Sequence, residues 1–226
     1  MPTNPSQKLL TIAIDGPAGA GKSTVAKQLA KILNISYLDT GAMYRALTFK
    51  AMSQGLNLED EDSLEALAKK TNIDLVENAQ GLRILLDGKD VSEEIRSSEV
   101  TNNTFYIARA SKVRAIMVQW QRQIAGRKGV VAEGRDIGTV VFPQAKYKFY
   151  LDAKIDERTQ RRYKELVAKG KTIDAKKLLD ELTERDQKDL TRKVSPLKQA
   201  DDAVYVDTTH MSVEGTVGVL LKYIKQ

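Results

Sequence analysis

Residues Gly16-Pro17-Ala18-Gly19-Ala20-Gly21-Lys22-Ser23 constrain this chain more than any other stretch. They carry the G-x-x-x-x-G-K-S spacing of a phosphate-binding loop, which has meaning only between a buried strand and a helix. Both flanks qualify. The run Leu9-Leu10-Thr11-Ile12-Ala13-Ile14 is rich in β-formers and ends at Asp15-Gly16, while Val25, Leu29, Ile32 and Leu33 recur at helical spacing afterwards. Glycines let the backbone curl so that successive N–H groups converge on phosphate oxygens. Lys22 then adds a point charge toward a transferred phosphoryl group, and Ser23 offers a hydroxyl to Mg²⁺. The triphosphate site is therefore expected over Gly16, Pro17, Ala18, Gly19, Ala20, Gly21, Lys22, Ser23 and Thr24.

The rest of the chain narrows the class. Its 226 residues suffice for one α/β core with additions, and 42% hydrophobic content suits a globular enzyme. With no cysteine, disulfides, thiolate metal sites and a cysteine nucleophile are excluded. His210 is the single histidine and reads as a loop residue, so histidine-based catalysis has no foundation. The polar start Met1-Pro2-Thr3-Asn4-Pro5-Ser6-Gln7 lacks a signal core, and no run reaches membrane-span length, so a cytoplasmic protein without membrane contact is expected. Of the net charge of +6, residues 151–200 hold 14 Lys and Arg against 10 Asp and Glu. So local an excess beside a phosphate loop points to polyphosphate rather than nucleic acid.

Helical patterns at about 41–54 and 111–126 alternate with strand-like Val130-Val131-Ala132, Lys148-Phe149-Tyr150-Leu151 and Ala203-Val204-Tyr205-Val206-Asp207, before a last helix near 212–225. That alternation predicts a parallel sheet covered by helices. Residues 71–92 break it with short β-runs and the turn pair Asp87-Gly88, predicting a small antiparallel insert.

Three further clusters carry charge or hydroxyl groups. In Leu38-Asp39-Thr40-Gly41-Ala42-Met43-Tyr44-Arg45, Thr40 is expected to cap a helix whose N-terminus, with Tyr44 and Arg45, would hold a second anion. Glu133-Gly134-Arg135-Asp136-Ile137-Gly138-Thr139 follows a predicted strand, at the sheet edge where ligands of open α/β folds bind. On a helix over about 155–167, Arg158, Arg161 and Arg162 share a face, as do Arg185, Asp189 and Arg192 further on. Joined through Lys169-Gly170-Lys171, these two helices read as a hinged lid able to neutralise transferring phosphate and exclude water.

Together with Glu157-Arg158, Arg161-Arg162, Glu184-Arg185-Asp186 and Ser195-Pro196-Leu197, these motifs resemble the bacterial cytidylate kinases over nearly the whole chain. The Gly-Arg-Asp-Ile-Gly-Thr element is the specific one, and the β-insert is similar to that family's. The resemblance implies one P-loop nucleoside monophosphate kinase domain over 1–226, of three layers around a five-stranded parallel sheet. Its P-loop would lie at 16–24, a monophosphate-binding region with the β-insert at about 40–110 and a helical lid at about 155–192. It implies transfer of the ATP γ-phosphoryl group to CMP or dCMP with Mg²⁺, in pyrimidine nucleotide metabolism, by a protein expected to be monomeric.

Carried over by residue, the resemblance has Arg45 and Arg135 hold the CMP phosphate with help from Tyr44 and Arg192, near Thr40. It assigns the cytosine to Arg114 and Asp136, the ribose to Arg185 and Asp189, and the ATP phosphates to Arg158, Arg161 and Arg162. Catalysis would rest on Lys22, Arg135, Arg158 and Arg162, with Ser23 toward the metal. Two positions depart from the pattern. Glu133 stands where Asp is usual, and Phe105 stands where a small hydroxyl residue is expected, with Thr104 beside it. The residues alone leave open a P-loop kinase for another acceptor, such as UMP, AMP or shikimate, and a nucleotide-dependent switch or nucleic-acid-binding ATPase.

Overall fold

The computed structural model describes residues 9–78, 81–126 and 128–225. The amino-terminal segment read above as lacking a signal core lies outside them, as do residues 79–80 of the insert. The chain runs β1 (Thr11–Asp15), α1 (Lys22–Leu33), β2 (Ser36–Asp39), α2 (Thr40–Ser53), α3 (Glu61–Lys69), β3 (Ile73–Asn78), β4 (Gly81–Leu86), β5 (Lys89–Asp90), a 3₁₀ turn (Glu94–Arg96), α4 (Ser98–Arg109) and α5 (Ser111–Ala125). It continues with β6 (Val130–Gly134), a π-helical turn (Ile137–Val141), β7 (Tyr147–Asp152), α6 (Ile155–Ala168), α7 (Ala175–Thr191), β8 (Val204–Asp207) and α8 (Val213–Ile224).

The main sheet has the order β2-β6-β1-β7-β8 with every pair parallel, and β3-β4-β5 form the antiparallel insert. Alternation along the buried strands gives the sheet two apolar faces. Ile12, Ile14, Val131, Phe149 and Leu151 pack with Val25 and Leu29 of α1 and Val217 and Leu220 of α8. Ala13, Leu38, Val130 and Ala132 face the opposite way, onto Met43 and Leu47 of α2, Leu64 of α3, Met117 of α5 and Ile84 of the insert. These are the three layers expected, with α3 and α4 added by helices that the sequence reading did not delimit.

Helices α6 and α7 share a smaller core of Leu166, Leu178 and Leu182, closed by Ala18 of the P-loop. Their connection turns at Gly170, whose φ is +74°. A side chain at Gly19 would meet the Arg158 Cβ at 2.9 Å, so the start of α6 is packed directly on the loop. The lid helices are thus anchored at one end.

Candidate functional site

Donor end. The P-loop leaves β1 at the centre of the sheet, where parallel strands present their carboxyl ends to a crevice. Gly16 has φ +146°, and a Cβ there would fall 1.9 Å from the Leu151 carbonyl oxygen, so only glycine permits the exit. The Lys22 ammonium donates to Pro17 O at 2.6 Å across the loop. Burial, reinforced by the nearby Arg135, pushes it down to about 7, a cost that an incoming polyphosphate would remove. Ser23 Oγ donates to Glu133 Oε1 at 2.6 Å, and Tyr37 Oη donates to the same oxygen at 3.2 Å.

The α2 N-terminus differs from expectation. Asp39, not Thr40, is its cap, accepting from Ala42 N at 2.8 Å. Thr40 instead donates to Glu133 O at 2.8 Å, tying α2 to β6. Because Asp39 satisfies the helix end, an anion there must be held by side chains, chiefly Arg45, which reaches Asp39 at 3.4 Å.

Acceptor end. Arg114 of α5 and Asp136, just beyond β6, form a hydrogen-bonded ion pair with side chains 4% and 6% exposed. A second guanidinium nitrogen of Arg114 donates to Ala108 O at 3.1 Å, and its carbon lies 5.5 Å from the centre of the Tyr44 ring. Arg192 at the end of α7 donates through Nε to Ser195 O and approaches Asp136 to 3.9 Å. Its Nη2 and the Tyr44 hydroxyl are buried with no hydrogen-bond partner among the described residues. Such orphaned donors are costly unless a ligand meets them.

Arg135 pairs with Asp189 at 2.7 Å. Burial opposes the Arg135 charge, but Asp189 outweighs it and raises its pKa. Arg185 has no carboxylate in salt-bridge range among the described residues, and burial with the adjacent Arg135 pushes it down to about 10. Asp189 is therefore paired with Arg135 and not with Arg185. Excess guanidinium charge in one buried cluster suits a dianionic phosphate monoester.

Lid side. Arg161 donates to Thr208 O at 2.5 Å, Thr208 Oγ1 at 3.1 Å and Thr209 O at 3.3 Å, and Arg162 pairs with Glu165 at 2.7 Å. Both line the cleft. Arg158 does not: it is 7% exposed, with its guanidinium on Ala153 O at 2.8 Å, Ala18 O at 3.0 Å and Asp186. The common helical face expected for Arg158, Arg161 and Arg162 thus splits, because Asp186 and the loop carbonyl draw Arg158 beneath the P-loop.

The cleft enclosing both ends has a volume of about 1380 Å³. Single small-molecule pockets occupy roughly 300–1,000 Å³, so this one has room for two nucleotides. Its wall includes groups the sequence reading did not assign: Thr101 and Thr104 of α4, Arg96, and Thr208, Met211 and Ser212 beyond β8. Thr104 lines the cleft, whereas Phe105 is turned against Arg109 and Lys188, 5.4 Å and 5.8 Å from its ring centre. His210, between cleft-lining neighbours, is exposed as a loop residue should be.

Asp15 was also missed. Its two oxygens accept from Ile137 N at 2.8 Å and Gly138 N at 2.7 Å, holding the turn that follows Asp136. Burial pushes this carboxyl up to about 7 despite those donors. The signal was its place, one residue before the P-loop at the end of a buried strand.

Among the described residues no group of three carboxylate, histidine or cysteine side chains could hold a metal alone. The Ser23 hydroxyl and Glu133 carboxylate are a hard-oxygen pair, suited to Mg²⁺ that takes most of its ligands from phosphate and water.

The cytidylate kinase family model matches residues 12–226. A cytidylate kinase of Exiguobacterium sibiricum is 50% identical over 213 residues, covering 94% of this chain and 96% of that protein. One from Desulforamulus reducens is 50% identical over 215 residues, covering 95% and 96%. In fold alone, a crystal structure of an uncharacterized protein from Eubacterium ventriosum aligns with TM-score 0.52 at 15% identity, covering 96% of this chain and 99% of that one. Since the family model spans residues 12–226 and these relatives match over nearly the whole chain, the chain belongs to the cytidylate kinase family.

Proposed function

We propose that this protein transfers the γ-phosphoryl group of ATP to CMP or dCMP, giving ADP and CDP or dCDP. The observation that carries this reading is the buried Arg114–Asp136 pair, set on the same sheet edge as the P-loop. Cytosine offers an exocyclic amine to a carboxylate and acceptors at N3 and O2 to a guanidinium. Uracil presents a carbonyl in place of the amine, which would face Asp136 with no hydrogen between them. Tyr44, Arg45, Arg135 and Arg192 line the same cleft as this pair, and the Arg192 Nη2 and Tyr44 hydroxyl are buried without a hydrogen-bond partner among the described residues.

No general base is required. A phosphate monoester has a second pKa of about 6, so the attacking oxygen of CMP already carries its lone pair at neutral pH. That oxygen forms the new P–O bond as the bond to the ADP oxygen breaks, and the electron pair leaves on ADP. Lys22, Arg135, Arg161 and Arg162 all line the cleft; in this reading Lys22 would follow the transferring phosphoryl, Arg161 and Arg162 would flank the donor, and Arg135 would sit between the two phosphates. Arg158 supports the loop from below rather than meeting phosphate. Mg²⁺, held through Ser23 with Glu133 nearby, would supply charge neutralisation on the ATP phosphates.

The enzyme is proposed to act as a cytoplasmic monomer on free nucleotides, without nucleic acid or membrane. No helix among the described residues is long and apolar enough to cross a membrane. The decisive assay is ADP release from Mg·ATP with CMP, dCMP, UMP, AMP, shikimate or no acceptor, repeated with Asp136→Ala. Turnover with CMP and dCMP that collapses in the variant is the expected result. Turnover confined to another acceptor, or hydrolysis without one, would overturn the reading.

A further inference from the structure

Glu133 is 5% exposed at the end of β6, and its side chain is one methylene longer than that of an aspartate. A longer carboxylate has an additional torsion to fix, and fixing it costs entropy unless a neighbour does so in advance. The structure contains such a neighbour. Tyr37 lies on β2, which pairs with β6 so that Tyr37 is opposite Val131 and Asp39 opposite Glu133. Residues two apart on a strand share a face, so Tyr37 and Glu133 project to the same side of the sheet, toward the start of α1 and Ser23.

The Tyr37 hydroxyl donates to Glu133 Oε1, the oxygen that also accepts from Ser23. Glu133 Oε2 has no protein donor among the described residues, and Glu133 lines the cleft. The Tyr37 side chain is 6% exposed, and Lys27 caps the ring at 5.6 Å. Simple packing would need the ring but not the hydroxyl.

We propose that Tyr37 is a positioning residue for the divalent cation: its hydroxyl pins Oε1 of Glu133, leaving Oε2 for the cation and its water beside Ser23. This role rests on the Ser23–Glu133 cation site proposed above. The bond acts on the cation only through the orientation of Glu133, so its loss should weaken cation binding about three- to tenfold without removing the site.

The test compares Tyr37→Phe, Glu133→Gln and Tyr147→Phe, the last a control whose hydroxyl donates to Ile224 O at 3.0 Å. Mn²⁺ binding to the enzyme·ADP complex is followed by the paramagnetic resonance signal of free Mn²⁺. The half-saturating free Mg²⁺ for turnover and the melting temperature are measured in parallel. The expected result is weaker Mn²⁺ binding and a matching Mg²⁺ shift in Tyr37→Phe, a larger shift in Glu133→Gln, and neither in Tyr147→Phe. At saturating Mg²⁺, kcat of Tyr37→Phe should recover to within about twofold of wild type, as expected for a lost orienting hydrogen bond. A shift in Glu133→Gln with none in Tyr37→Phe would overturn the role of Tyr37 alone. No shift in Glu133→Gln would overturn the cation site and this role with it.

Discussion

At the donor end of the cleft many of the lining groups come from one continuous segment, residues 18–25, whose small residues offer chiefly backbone. At the acceptor end they are side chains gathered from α2, α5, the end of β6 and α7: Arg45, Arg114, Arg135, Asp136, Arg185, Asp189 and Arg192. A backbone cradle is indifferent to most substitutions and recognises only what every triphosphate shares. A side-chain cradle can discriminate between acceptors, but several members depend on partners far away in sequence, as Arg114 depends on Asp136 and Arg135 on Asp189.

The largest separation of the two ends should come from Lys22→Met. Loss of this charge should lower kcat about 10³-fold with any acceptor, the upper range for one transition-state donor. The ligand-free variant should nevertheless melt higher. Burial pushes the Lys22 ammonium down to about 7 from an ordinary 10.5, so its charge opposes folding fully below about pH 7 and ceases to as pH rises past 10.5. A gain of about 2–4 °C near pH 6 that shrinks toward pH 10 is expected by calorimetry. Equal melting at both pH values would break this assignment.

Asp136→Ala acts at the other end. Leaving Arg114 buried and unpaired should cut kcat/KM for CMP about 10²-fold and erase the preference over UMP. Isothermal titration should show the affinity for ATP nearly unchanged. An equal loss on both nucleotides would mean that the ends are not separable.

Asp15 joins the ends, so Asp15→Asn should have an intermediate effect. An amide can accept through only one oxygen, stranding one buried N–H of Ile137 or Gly138 and raising KM for CMP about tenfold. Since burial raises the wild-type carboxyl from 3.8 to about 7, the folded state holds a proton that the unfolded chain has lost across that window. Wild-type stability from this group therefore falls as pH rises from about 4 to about 7, and Asn lacks that slope. Parallel melting curves for the two proteins across the window would refute it.

The smallest effect belongs to Phe105→Ser. The ring sits outside the cleft lining, so KM for CMP should move by less than about threefold, the equivalent of one lost cation–π contact. A larger change would show that α4 presents position 105, not Thr104, to the acceptor.

Sequence exposed most of the frame because local chemistry governs it. Glycine spacing marks the P-loop, apolar runs mark the sheet strands, and alternation with turn pairs marks the insert. It failed where two equivalent local choices are decided by distant atoms. Asp39 and Thr40 are both competent caps, and the register of β2 on β6 hands the task to Asp39 while sending Thr40 to Glu133 O. Helical spacing placed Arg158 beside Arg161 and Arg162, but Asp186 on the next helix bends it under the loop. The acceptor cluster was legible only through resemblance, since spacing alone does not join Arg114 to Asp136.

Asp15 on β1 stands in register with Gly134 on β6, and each strand delivers one end of the cleft from that rung. Adjacent strands are held about 4.8 Å apart by their hydrogen-bond ladder, a spacing no side chain can alter. The points where the P-loop and the Arg135–Asp136 turn leave the sheet are therefore held one ladder spacing apart. Descendants of this sequence can retune which base they accept one side chain at a time, but the separation of these two strand ends stays fixed for as long as β1 and β6 remain paired neighbours.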